Sequence, residues 1–239
     1  MIPSRILSLA AACLFPLSAS AQDEAAAKLS IRAFLNDPAH PETQLFVPDA
    51  PDHLIPLVLA PGELPAAQAL SITDGKLKLY SAAKIDPANP DAALVASATV
   101  PKNLKQAIAI IQPRGDGGKP PCGIVFVDDS VQAFPGGESR VISFTTLPVA
   151  IQAGEHKIAI PSGKVTAIPP VAQVDPYNMA QTNFLYKSGE AWVPFSEAKM
   201  KYLKEYRQIF LCLVRPGGKS PSLVTLVDDI PKAPAPSVK

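Results

Sequence analysis

Histidine and cysteine, the residues behind most nucleophilic and metal chemistry, are nearly absent from this chain: three of each in 239 residues. His40, His53 and His156 have no partner at metal-ligand spacing. His53 follows Pro51-Asp52 and His156 follows Glu155, so both read as surface turn residues rather than ligands. No cysteine has a histidine nearby and no Gly-x-Ser-x-Gly occurs, so nucleophilic catalysis has no visible parts. Gly115-Asp116-Gly117-Gly118-Lys119 lacks the order of a phosphate loop. Arg114-Gly115-Asp116, a tripeptide that some adhesion receptors read, is short enough to arise by chance. No catalytic residue, metal or cofactor is expected.

A surplus of either charge is also missing. The formal net charge is +1, and removing Arg5 with the leader below leaves 21 basic and 21 acidic residues. Such balance gives no electrostatic reason to expect nucleic acid or an anionic membrane as partner.

Long apolar runs are confined to the N-terminus. Arg5, the apolar stretch Ile6 to Leu17 and Ala19-Ser20-Ala21 read as a secretory signal peptide over residues 1–21, cleaved near Ala21. It is too short for a membrane span of roughly 20 residues. Cys13 after Leu9-Ala10-Ala11-Ala12 also suggests a lipidated cysteine, against which the apolar Leu14-Phe15-Pro16-Leu17 argues. The expected product is periplasmic or extracellular, with no membrane span. Cys122 and Cys212 then remain, and an oxidising compartment invites a disulfide between them. The repeat described next sets them on different strands of different copies, which favours two buried free thiols.

What the chain has in plenty is proline, 27 in all, and one internal match. Gly117-Gly118-Lys119-Pro120-Pro121-Cys122-Gly123-Ile124-Val125-Phe126-Val127-Asp128-Asp129 returns one hundred positions later as Gly217-Gly218-Lys219-Ser220-Pro221-Ser222-Leu223-Val224-Thr225-Leu226-Val227-Asp228-Asp229, with seven of thirteen positions identical. A self-match at fixed spacing implies one structural unit used twice. Upstream, Leu104 to Ile111 matches Leu203 to Leu211 with one residue of slip, and Ala93-Leu94 parallels Ala191-Trp192. Each copy thus ends with two apolar runs around a Gly-Gly-Lys-x-Pro link, the signature of a β-hairpin.

Elsewhere the chain is a series of short apolar runs separated by Pro, Gly, Asn or Asp. In the first copy they begin at Leu29–Leu35 and continue at 45–47, 54–59, 69–73, 77–80, 94–100, 107–111 and 124–127. In the second they fall at 140–144, 149–152, 157–160, 165–168, 184–186, 191–195, 206–214 and 223–227. Such spacing predicts antiparallel sandwiches, and prolines gather at strand ends. Only Phe195 to Tyr206 offers a short helical turn, with Ser196 as its cap. The expected fold is all-β: two tandem immunoglobulin-like antiparallel β-sandwich domains over 22–130 and 131–230. The junction falls near Ser130 to Glu138, and a disordered Pro-rich tail spans 231–239.

Asp128-Asp129 and Asp228-Asp229 are the tempting acids, but no calcium-loop pattern accompanies either pair. They read as strand ends, where aspartate bonds turn amides. Trp192, Tyr186, Phe195, Tyr202 and Tyr206 cluster in the second copy, where exposed rings could stack on sugars. Trp192 matches the apolar Leu94 and is therefore expected in the core. Tyr202 and Tyr206 have no such counterpart and are the surface candidates for ligand binding.

Val127-Asp128-Asp129-Ser130, Phe134-Pro135-Gly136-Gly137, Arg140-Val141-Ile142, Pro161-Ser162-Gly163-Lys164-Val165, Ala191-Trp192 and Arg207-Gln208-Ile209-Phe210 together resemble uncharacterised secreted bacterial proteins with tandem immunoglobulin-like repeats. The likeness covers most of residues 29–229 and is strongest over 105–229. Its motifs mark turns and strands, so it implies the fold and export but no activity. The sequence therefore reads as an exported, non-enzymatic binding or assembly module of the cell envelope, with a protein or glycan partner. The alternative is a carbohydrate-binding accessory protein using the aromatics of the second copy.

Overall fold

The computed structural model describes residues 27–37, 43–50, 53–115, 117–215 and 217–230. The leader, His40, Asp116 and the tail 231–239 lie outside them. Among the described residues the protein is all-β, with sixteen strands and no helix. The first half holds β1 (Ala27–Leu35), β2 (Phe46–Ala50), β3 (His53–Pro56), β4 (Gln68–Ile72), β5 (Lys76–Tyr80), β6 (Leu94–Thr99), β7 (Gln106–Pro113) and β8 (Cys122–Asp128). The second holds β9 (Ser139–Ser143), β10 (Val149–Ala153), β11 (His156–Ile160), β12 (Val165–Ile168), β13 (Met179–Ser188), β14 (Ala191–Lys201), β15 (Tyr206–Leu213) and β16 (Ser222–Asp229).

The two halves order their strands alike. In the second, one sheet runs β11-β10-β13-β14 and the other β12-β9-β15-β16. In the first, β3-β2-β5-β6 and β8-β7-β1-β4 follow the same scheme, joined into one eight-stranded sheet by the parallel pair Ala96–Cys122. The eight-stranded sheet and β12-β9-β15-β16 are mixed rather than antiparallel, because β1 runs parallel to β7 and β9 parallel to β15, whereas β11-β10-β13-β14 is antiparallel throughout. The hairpins close as the Gly-Gly links suggest: β7 pairs β8, β15 pairs β16, and Gly117 and Gly217 take φ of 67° and 77°. Left-handed backbone of this kind is open to glycine without steric cost.

Three apolar layers separate four sheet layers. Leu29, Ile31, Leu70, Leu77, Leu79 and Ile111 fill the first half. Val149, Ile151, Phe184, Phe210 and Cys212 fill the second. Between the halves, Phe34, Ile108, Ile110 and Val127 meet Ile142, Ile209, Leu211 and Leu226. The halves are thus packed back to back, and the two inner sheets are covered on both faces. That explains the strand chemistry. Residues 107–111 of β7 and 207–213 of β15 are buried without interruption, whereas β10, in an outer sheet, alternates buried and half-buried positions. A sheet enclosed on both sides needs continuous apolar runs; one facing water needs alternation.

The stacking also sets the facing of the matched hairpins. Ile108 and Val127 point into the shared layer, and so do Ile209 and Leu226, each one residue off the hundred-residue match. One residue of slip turns a strand over, so the position facing like Asp129 is Asp228, not Asp229. The helical turn expected within Phe195 to Tyr206 does not form, since β14 continues to Lys201 in register with β13.

Candidate functional site

The densest polar chemistry lies at one edge of the shared layer. Arg32 on β1 donates to Asp228 on β16 at 2.6 Å and approaches Asp129 at 3.6 Å. Arg207 on β15 donates through Nε to Asp228 at 3.0 Å and through Nη2 to Asp129 at 2.7 Å, and its Nη2 also contacts Asp228. Its Nη1 reaches the carbonyls of Asp129 and Phe134. The connection from β8 to β9 wraps this node. Phe134 is fully buried, with the guanidinium carbons of Arg207 and Arg140 4.6 and 4.4 Å from its ring centre. Arg140 also bonds Glu138 at 2.8 Å and the carbonyl of Ala133.

The node is charge-balanced: three arginines face Asp129, Asp228 and Glu138. Burial pushes the Asp228 carboxyl up, but hydrogen bonds from Arg32 and Arg207 outweigh it and hold the group below the usual aspartate range. For Asp129 burial wins over the two arginines, and Asp228 adds repulsion, so its carboxyl is raised. Each arginine is occupied by carboxylates or carbonyls, so the arrangement clamps the halves rather than presenting free groups to a substrate. Sequence reasoning missed Arg32, Arg207 and Phe134 in this role, because their partners are brought together only by stacking the halves.

The other acids stay at the strand ends. Asp128 is exposed and accepts the Ser130 amide at 2.9 Å; Asp229 is exposed. His53 lies 3.6 Å from Asp49, and His156 lies 3.3 Å from Glu155. Among the described residues no three His, Cys, Asp or Glu gather as metal ligands. Cys122 and Cys212 are unpaired, in different apolar layers, and burial pushes the Cys212 thiol up to about 12.

The aromatics are placed differently from the sequence reading. Tyr202, expected at the surface, is buried, with its hydroxyl 2.7 Å from that of Thr182. Tyr206 is half-buried and donates to the Lys201 carbonyl at 3.1 Å. Tyr186 and Phe195 pack into the second half's core. Trp192, expected in that core, is 47% exposed and sits opposite Lys187, where β13 turns into β14. The bulge explains this. Phe195 is the extra residue between the pairs Leu185–Pro194 and Phe184–Ser196, as Val95 is between Tyr80–Leu94 and Leu79–Ala96. Leu94 therefore corresponds to Pro194, and Trp192 lies beyond the core.

Among the described residues β16 is the last strand of its sheet, with no hydrogen-bonded strand beyond it. Thr225, Val227 and Asp229 alternate along it as exposed positions, Val227 being 55% exposed. Opposite Val227, the buried Oε1 of Gln208 has no hydrogen-bond partner among the described residues. A shallow hollow of about 160 Å³ near Asp74, Lys76 and Tyr80 is small for an organic ligand. Among the described residues no helix is long and apolar enough to cross a membrane. No family model matches the chain, and no curated protein matches it in sequence.

Proposed function

We propose that the protein is an exported, non-enzymatic assembly module of the bacterial cell envelope. It consists of two tandem immunoglobulin-like sandwiches, related by duplication and set back to back, and it acts through the open edge of β16. The common strand order of the halves supports the duplication, and the reading of residues 1–21 as a signal peptide supports export. The observation that carries the functional reading is the contrast between interior and edge. The layer between the halves is filled by side chains and by a neutralised node, which leaves no cleft for a partner. β16 is an end strand of its sheet among the described residues, and an edge strand of this kind can accept an added strand.

A photo-reactive residue placed at exposed Thr225 in cells exporting the protein tests this. Adducts with an envelope component from Thr225, and none from Lys157 on the far edge strand β11, are the expected result. An absence of adducts at Thr225 contradicts the reading. N-terminal sequencing should find the mature chain starting at Gln22, and retention of residues 1–21 contradicts export.

One observation favours carbohydrate binding as a second reading: Trp192 stands exposed on the outer sheet, where an aromatic face can stack on a sugar ring. Retention on insoluble polysaccharide that Trp192→Ala abolishes would replace the first reading with this one.

A further inference from the structure

We infer that the corner formed by Tyr206, Gln208, Val227 and Asp229 binds an aliphatic ammonium, the group carried by a polyamine or a lysine side chain. The inference goes beyond the edge reading, because it concerns the face that β15 and β16 turn toward the second half's core.

Register sets that face. Tyr206 pairs with Asp229 and Gln208 with Val227, so the four side chains form a square on one side of the hairpin. They continue the row of Phe210 and Cys212, which lie in the second core, since alternate residues of a strand share a face. β14 ends at Lys201, and the connection through Tyr202 to Glu205 leads back to β15. Val227 is left 55% exposed and Asp229 is exposed, so solvent reaches the corner beside Gln208.

The bonding of the corner is one-sided. Its two donor groups, Gln208 Nε2 and the Tyr206 hydroxyl, both bond the Lys201 carbonyl, at 3.0 and 3.1 Å. The unpartnered atom is an acceptor: Gln208 is 7% exposed, yet its Oε1 has no hydrogen-bond partner among the described residues. A buried acceptor without a donor is costly, and such atoms are normally completed by a bound group. The carboxyls of Asp229 and Glu205 lie at the same place, for burial and then these two charges raise the Tyr206 phenol above its usual range. Among the described residues neither carboxyl has a cation paired with it. Lys201 lies opposite Met179 while its neighbour Met200 turns to the core, so the Lys201 ammonium is on the outer face.

An unpartnered acceptor beside two free carboxylates fits a donor that carries positive charge. A calcium ion takes about six or more oxygens, and among the described residues no metal-ligand group gathers. An ammonium needs fewer. It donates to Gln208 Oε1 and to Asp229 together, and the Tyr206 ring adds a face that attracts cations. Its alkyl stem lies along Val227, as long cationic side chains lie along apolar surface. A neutral hydroxyl would leave both negative charges unused.

The test follows the Gln208 side-chain amide and the Val227 methyls of the purified mature chain, residues 22–239, by NMR. Cadaverine is added at constant ionic strength. Saturable shifts at both groups are expected, and n-pentanol, of similar length but uncharged, should produce none. Asp229→Asn and Gln208→Met should each weaken cadaverine binding about tenfold, with circular dichroism confirming that they fold. Should Gln208→Met not fold, the surface change Asp229→Asn decides alone. An acetylated and amidated Gly-Lys-Gly peptide separates the two sources of the ammonium. Binding as tight as that of cadaverine assigns the corner to a polypeptide lysine, and a clear preference for cadaverine assigns it to free polyamines; either result upholds the inference. No saturation by about 10 mM cadaverine, equal shifts from n-pentanol, or a Kd unchanged by Asp229→Asn overturns it. The Thr225 adducts test the edge reading separately, so the two fail independently.

Discussion

Arg32 on the first strand donates a 2.6 Å hydrogen bond to Asp228 on the last, closing a loop of 196 residues. Few single contacts could tie the halves more economically, and Arg207 makes a second tie from Asp228 to Asp129. The charges of the node cancel inside the molecule.

The two aspartates of the node should respond oppositely to pH. The folded-state carboxyl of Asp228 is held down, so the stability it gives is present above the unfolded value and lost as pH falls through the folded one. The carboxyl of Asp129 is raised, so its contribution is present at low pH and lost as pH rises through the folded value. Asp228→Asn, which leaves two buried arginines short of a charge, should cost about 3 kcal/mol at pH 7 and flatten the acid limb of the stability curve. Asp129→Asn should cost clearly less. Urea denaturation at pH 7 and pH 4 measures both, and equal losses would contradict the assigned directions.

Phe134 anchors the connection between the halves, wedged against Arg207 and Arg140. Phe134→Ala should lose about 3–5 kcal/mol, the usual cost of deleting a buried phenylalanine. Chemical denaturation is the measurement. A loss below about 1 kcal/mol would show that the connection contributes little to the packing of the halves.

Trp192 and Tyr202 should exchange the behaviour that the sequence suggests for them. Trp192→Ala, at an exposed site, should change stability by no more than about 0.5 kcal/mol. Tyr202→Phe removes the hydroxyl that meets Thr182 and should cost about 1 kcal/mol. Thermal melts of the two variants decide the matter, and the reverse ranking would contradict their placement.

Neither thiol of the native protein should react readily. Cys212 is fully buried with its thiol pushed up to about 12, and burial also raises Cys122. Thiolate is the reactive form, so iodoacetamide at pH 8 should leave both unmodified until urea is added. Rapid native labelling of Cys212 would contradict its position in the second core.

Each of the sixteen apolar runs, from Leu29–Leu35 to Leu223–Val227, overlaps a strand, though the run 54–59 extends three residues past β3, because local patterning and punctuation carry that information. Partnership across the chain was not legible. The matched Val-Asp-Asp segments look equivalent residue by residue, yet stacking turns one hairpin over relative to the match, so Asp129 and Asp228 share the node. Glu197-Ala198-Lys199-Met200-Lys201 has good helix propensity, but pairing with β13 outweighs it, as tertiary context commonly does. The parallel pairs β1–β7 and β9–β15 leave no mark in the alternation of either strand, and the bulge at Phe195 hides which apolar position corresponds to Leu94.

Calorimetric unfolding of the mature chain tests most directly whether the halves form one body. The shared layer and the node predict a single transition whose calorimetric and van't Hoff enthalpies agree, and Ile209→Ala should lower it as a whole. Two separable transitions, with Ile209→Ala shifting only the one belonging to the second half, would contradict the back-to-back packing of the halves.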